Sequence, residues 1–170
     1  MITLPDPALV VLVGVAGSGK STLARRHFAP TQVVSSDRCR ALVSDDENDM
    51  SATGDAFDVL HHIVAIRLRR GRLTVVDATN VRPADRASLL AIARDHDVPA
   101  VVIVLDVTES VARARNRARA DRELPGHVVP RQRRDLRGGV AGMSREGFDR
   151  VHVLRGVDEI ETVTLRFEKR

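Results

Sequence analysis

The chain has 170 residues, 43% apolar and 29% charged, with a formal net charge of +4 and a single cysteine. This length and apolar content suit one α/β domain with its own core. No run approaches the ~18 consecutive apolar residues of a membrane span, and the first seven residues lack the basic start and cleavage site of a secretory signal. Lone Cys39 excludes an internal disulfide and fits a reducing, cytoplasmic setting without a membrane partner.

Taken in chain order, apolar runs alternate with amphipathic stretches, the pattern of a doubly wound, mainly parallel sheet. Residues 8–13 form a short apolar strand of the buried parallel kind. A glycine-rich loop follows, and residues 22–27 start a helix. A second strand over 32–35 ends at Asp37. The spacing of Phe57, Leu60, Val64 and Leu68 predicts a helix over 55–70, with Gly71 as its stop. A third strand over 73–76 ends at Asp77, and Pro83 opens a helix carrying Leu89, Leu90, Ile92 and Ala93. The fourth strand is 100–105. An arginine-rich helix over 110–119 is broken at Leu124-Pro125-Gly126, and a second helix runs to about residue 137. Residues 151–154 make a fifth strand, and 163–167 a sixth or an edge strand. No repeat, low-complexity tract or internal domain boundary interrupts residues 1–170.

Residues Gly14 to Ser21 read G-V-A-G-S-G-K-S, the pattern G-x-x-x-x-G-K-[ST] of a phosphate cradle. Gly14, Gly17 and Gly19 let the backbone turn so that N–H groups, Ala16 and Ser18 included, converge on an anion. Lys20 supplies a compact charge for the β and γ phosphates, and Ser21 offers a hydroxyl to a bridging Mg²⁺. Thr22 follows at the positive end of the next helix. The strand–loop–helix context confirms the motif. Lys20 and Lys169 are the only lysines in a chain whose basic residues are otherwise all arginine, and one of them sits where the cradle requires it.

Ligands in open parallel sheets bind beyond the carboxyl ends of the strands, so Gly14, Asp37 and Asp77 are expected to meet. Asp37 is a candidate general base for an attacking hydroxyl; capping a helix is an equally good reading of the residue type. Arg40 returns to the same face if a helical turn begins at Asp37, and would there hold an acceptor phosphate bidentately. Asp77, closing an apolar strand, occupies a common position for a Mg²⁺-organising carboxylate; a strand-end turn is the plainer alternative. Residues 110–134 carry eight arginines against Asp121 and Glu123. Arg115 and Arg119 share a helix face and could swing from a lid, about 110–137, onto a transferring phosphate; a surface helix paired with those acids is the alternative. His61 and His62 diverge on their helix and make a poor metal pair. Asp45, Glu47 and Asp49 alternate like a calcium loop, but Met50 and Ala56 stand where its glycine and final Glu belong.

With these residues in view, the chain resembles the 5′-hydroxyl polynucleotide kinase domain at the N-terminus of the bacterial RNA-repair protein that combines kinase, phosphatase and ligase. The phosphate loop is shared widely. The pairing of Asp37-x-x-Arg40 with Asp77-x-Thr79-Asn80 is more specific, and stretches 42–49, 56–61 and 145–148 extend the likeness along nearly the whole chain. The resemblance implies a P-loop kinase domain with ATP or another NTP as donor and Mg²⁺ or Mn²⁺ as the metal. The acceptors would be 5′-OH ends of RNA or DNA. Catalysis would fall to Lys20, Asp37 and Arg115. The donor would be held by Gly14, Ala16, Gly17, Ser18, Gly19, Lys20, Ser21, Thr22, Arg115 and Arg119, the metal by Ser21, and the substrate end by Asp37, Arg40 and Asp77. It also allows the chain to be the N-terminal module of a longer repair protein, with phosphatase and ligase modules following. Two other readings stay open: a small-molecule kinase on the same fold, and a nucleotide-binding module without catalysis, which leaves Asp37 no task.

Overall fold

The computed structural model describes residues 1–121 and 123–169; Arg122 of the arginine-rich stretch and the terminal Arg170 lie outside the described residues. Strand β1 (Ile2–Asp6) precedes β2 (Leu9–Val13), α1 (Lys20–His27), β3 (Val33–Ser35), α2 (Ser36–Ser44), α3 (Thr53–Arg69), β4 (Thr74–Asp77) and α4 (Pro83–Asp95). Then come β5 (Ala100–Asp106), α5 (Glu109–Ala118), α6 (Val128–Val140), the short α7 (Met143–Glu146), β6 (Arg150–Arg155), α8 (Gly156–Thr162) and β7 (Leu165–Lys169).

Five strands form one all-parallel sheet in the order β3-β4-β2-β5-β6. The central strand β2 is completely buried along its length, and β4 and β5 nearly so, because helices cover both faces of a parallel sheet. The sequence shows the same fact as unbroken valine and leucine runs. The strand expected over 163–167 falls instead at Leu165–Lys169, and it does not join this sheet. It pairs in parallel with β1, a strand not among the elements expected from the sequence. The expected turn at Asp37 is a full helix, α2, and α8 is a helix where none was expected.

The topology locates the site. From β2 the chain passes toward β3 on one side, and from β5 toward β6 on the other, so the order reverses between β2 and β5. A crevice opens at that reversal beyond the carboxyl ends of the strands. The loop after β2 is the glycine-rich stretch, and the helix after β5 is arginine-rich α5.

Candidate active site

A cleft of about 1320 Å³ occupies the crevice and brings together Ala16, Gly17, Gly19, Lys20, Ser21, Thr22, Asp37, Arg40, Asp77, Arg115 and Arg119. Gly14 and Ser18, the two remaining loop residues named from the sequence, are buried behind its lining.

The phosphate loop is shaped by its glycines. Gly17 (φ 83°) and Gly19 (φ 103°) both lie in the left-handed region, Gly19 as the N-cap of α1. A Cβ on Gly17 would sit 2.6 Å from the carbonyl oxygen of Ala112, so α5 can approach only because that atom is missing. Lys20 is buried, and its Nζ donates to the carbonyls of Gly14 (2.9 Å) and Val15 (3.0 Å), which aims the ammonium back over the loop. Ser21 and Thr22 are exposed on the first turn of α1, facing the cleft. The N–H of Gly14 donates to the carbonyl of Thr79 at 3.0 Å, so this glycine ties the loop to the segment after β4. The same segment is fixed from below: Asn80, at φ 49°, donates through Nδ2 to the carbonyl of Leu12 at 2.8 Å.

Asp37 is not the helix cap. Ser35 takes that place, its hydroxyl accepting from the N–H of Arg38, and Asp37 stands in the first turn of α2 with its carboxylate in the cleft. Three residues on, Arg40 reaches the same face and its Nη1 donates to Asp37 Oδ1. Arg40 is 5% exposed. Its Nε donates to Thr53 Oγ1 at 3.3 Å and its Nη1 to the carbonyl of Glu47 at 3.2 Å. The acidic stretch after α2 thus acts through its backbone, holding the arginine in place. Asp77 is buried at the end of β4, in register with Leu12 and Ser35, and lines the cleft between the loop and Asp37.

Arg115 lies over the phosphate loop, donating to the carbonyl of Ser18 at 3.2 Å, with Glu161 at 3.8 Å. Arg119 sits at the end of α5, paired with Asp121 at 3.3 Å. The hydrogen bond that Arg119 donates to Asp121 raises the Arg119 pKa above its ordinary value, and Asp37 and Glu47 add to the effect from across the cleft. The two arginines therefore divide the cleft, Arg115 on the loop side and Arg119 toward Asp37. Arg113 pairs with Glu109 along the helix. The helical pair α5 and α6 is interrupted at the expected Leu124-Pro125-Gly126 segment, and α6 continues to Val140.

Four contributors were not visible in the sequence. Asn116 and Gln132 each hydrogen-bond to Ala16 in the phosphate loop, from α5 and α6. Ile160 and Glu161 bring α8 to the cleft, where Arg26 donates to the Glu161 carbonyl at 2.7 Å. Nothing in one dimension marks an amide among arginines or a helix of seven residues as part of a site.

Comparison with known proteins agrees with this architecture. A family model described as an AAA domain (AAA_33) matches residues 9–138. No curated protein matches. Among solved structures, a kinase-assigned protein of Chloroflexus aurantiacus J-10-fl is 18% identical with TM-score 0.64, over 94% of this chain and 92% of that one. A chain of the Pnkp1/Rnl/Hen1 RNA repair complex is 21% identical with TM-score 0.68, over 79% of this chain but only 45% of that one. A gluconokinase from Sinorhizobium meliloti 1021 is 18% identical with TM-score 0.53, over 89% of this chain and 84% of that one. At these identities the likeness establishes the fold, that of P-loop kinases.

Proposed function

This chain belongs to the AAA-domain family (AAA_33), and from that premise we propose that it is a phosphotransferase acting on the 5′-hydroxyl end of RNA or DNA, with ATP or another NTP as donor. The observation that carries the reading is the Asp37–Arg40 pair on one turn of α2, opposite the phosphate loop in the same cleft. A base for a hydroxyl and a buried arginine beside it make a site for an acceptor that carries its own phosphate.

Each residue then has a task. The donor's phosphates lie in the loop from Ala16 to Thr22, with Lys20 on the terminal pair. The exposed hydroxyl of Ser21 and the buried carboxylate of Asp77 are hard oxygen groups on one cleft, a donor set that fits Mg²⁺ or Mn²⁺. The metal's contribution there is to neutralise phosphate charge. Arg40 holds the phosphate that follows the terminal nucleoside. Asp37 takes the proton of the 5′-OH as its oxygen bonds to the γ-phosphorus; the bond from that phosphorus to the bridging oxygen breaks and the nucleoside diphosphate leaves. Arg115, already over the loop, meets the charge that develops on the transferred group.

The test is transfer of labelled γ-phosphate to a 5′-OH RNA or DNA oligomer, against a panel of nucleosides, sugars and small alcohols. Arg40→Ala should raise the KM of the oligomer far more than that of ATP, and Arg115→Ala should chiefly lower kcat. A bare nucleoside or sugar phosphorylated as well as the oligomer would refute the polynucleotide reading. It would favour a small-molecule kinase, the alternative that the gluconokinase-like fold supports. ATP binding with no acceptor turned over would leave a nucleotide-binding module. The chain spans 45% of the RNA-repair-complex chain it matches, and the phosphatase and ligase modules that the sequence resemblance implies belong to the same proposal.

A further inference from the structure

The backbone of Ala16 is held on both sides of its Cα by the two lid helices. Its carbonyl accepts from Asn116 Nδ2 of α5 at 2.9 Å, and its N–H donates to Gln132 Oε1 of α6 at 2.8 Å. The two bonds differ chemically. Among the described residues, the hydrogen bonds from helix α5 to the loop go to carbonyls, those of Ala16, Gly17 and Ser18, and a bound anion needs N–H groups instead. Those contacts are compatible with an occupied loop. Gln132 takes an N–H. Two other N–H groups of the loop, those of Gly14 and Ser18, donate to the backbone carbonyls of Thr79 and Val15, which cannot move away without remaking the loop. The Gln132 carboxamide is a neutral acceptor on a side chain that can rotate away, and it does at Ala16 what a phosphate oxygen would do.

We propose that Gln132 is a positioning residue that stands in for a donor phosphate oxygen. It docks α6 on the phosphate loop through the Ala16 N–H and yields that N–H when the nucleotide arrives, so that α6 is released while α5 stays. The inference rests on the donor-site reading of the loop. The direction of exchange follows from charge: a hydrogen bond to an ionised oxygen is about twice as strong as one to a neutral carboxamide. Because the latched population binds no phosphate at Ala16, the latch weakens apparent donor affinity by the fraction it holds.

The experiment is calorimetric titration of the full chain with ATP and Mg²⁺, and with inorganic tripolyphosphate, alongside hydrogen exchange of α5 and α6. Gln132→Met keeps the bulk and loses the acceptor; it should bind both ligands about two- to tenfold more tightly than wild type, the net worth of one neutral hydrogen bond. Its α6 should already exchange fast without nucleotide, as wild-type α6 does only with it, and α5 should be unchanged. Gln132→Glu keeps the acceptor and adds charge, and should bind both ligands more weakly than wild type. Equal or weaker binding by a folded Gln132→Met, or α6 exchange indifferent to both nucleotide and substitution, overturns the latch while leaving the donor site standing. A folded wild type that binds neither ligand overturns the donor site itself, and the latch with it.

Discussion

Asp37 and Ser35 divide two roles that one aspartate could have filled, and the division is testable. Because Ser35 is the cap of α2, Ser35→Ala should cost about 1 kcal/mol of stability. Asp37→Asn neutralises the partner of the nearly buried Arg40 and so should lower stability, but it should leave ATP affinity nearly unchanged and lower turnover by ~10² or more, as expected for loss of a general base. Denaturation curves and single-turnover rates on the two variants separate the roles; an unstable Asp37→Asn protein with normal turnover would return the residue to a structural part. Lys20→Met should reduce transfer by at least ~10², since the ammonium is the loop's fixed charge. Its stability should change little, because the ammonium's bonds to Gly14 and Val15 stay within one short loop.

At the scale of elements, the loop after β4 depends on a residue with no part in the chemistry. Arg86, completely buried on α4, donates to the carbonyls of Asn80 and Val81, both at 2.9 Å, and forks onto Glu146 of α7 at 2.6 and 2.8 Å. It ties the segment that carries Asp77 and Asn80 to the helix following the lid. Removing one partner of a buried pair strands the other's charge, so Glu146→Gln should destabilise the fold by about 3 kcal/mol. That is a fall in Tm of roughly 6–12 °C for a domain of this size, read by thermal denaturation. The elements show what a sequence can disclose. The runs at β2, β4 and β5, the heptad-like spacing of α3 and the break before α6 are local patterns, and each is legible. So was the meeting of Lys20, Asp37, Arg40, Asp77 and Arg115 on one cleft, because each stands at a strand end or on a helix face that topology carries to the crevice. Asn116, Gln132, Arg86 and the partner of β7 were not. Their roles depend on contacts with residues 60 to more than 160 positions away, which periodicity does not encode.

Over the whole molecule, three histidines give the fold a pH dependence. Burial lowers the pKa of His27, His61 and His152 below the ordinary 6.5, and neighbouring arginines reinforce this at His27 and His152. The Nε2 atoms of His27 and His152 are buried without a hydrogen-bond partner. A depressed histidine binds fewer protons when folded than when unfolded, so stability rises with pH across the interval below 6.5 and is complete above it. Denaturant midpoints should therefore fall between pH 7.5 and 5.5, and replacing the three histidines with glutamine should flatten the trend. If the basic cleft and lid contact several backbone phosphates, added salt should weaken oligomer binding more than ATP binding.

The pairing of β1 with β7 has a mechanical meaning. The two strands run in parallel, from Ile2 beside Leu165 to Asp6 beside Lys169. Tension applied between residues 2 and 169 would therefore pull on opposite ends of the ladder and load its hydrogen bonds together, in shear, rather than peel them one at a time. Only two residues separate α8, with Ile160 and Glu161 at the cleft, from β7. In an optical-trap experiment the first rupture should be abrupt, and nucleotide bound beside Glu161 should shift the force at which the segment after the ladder gives way.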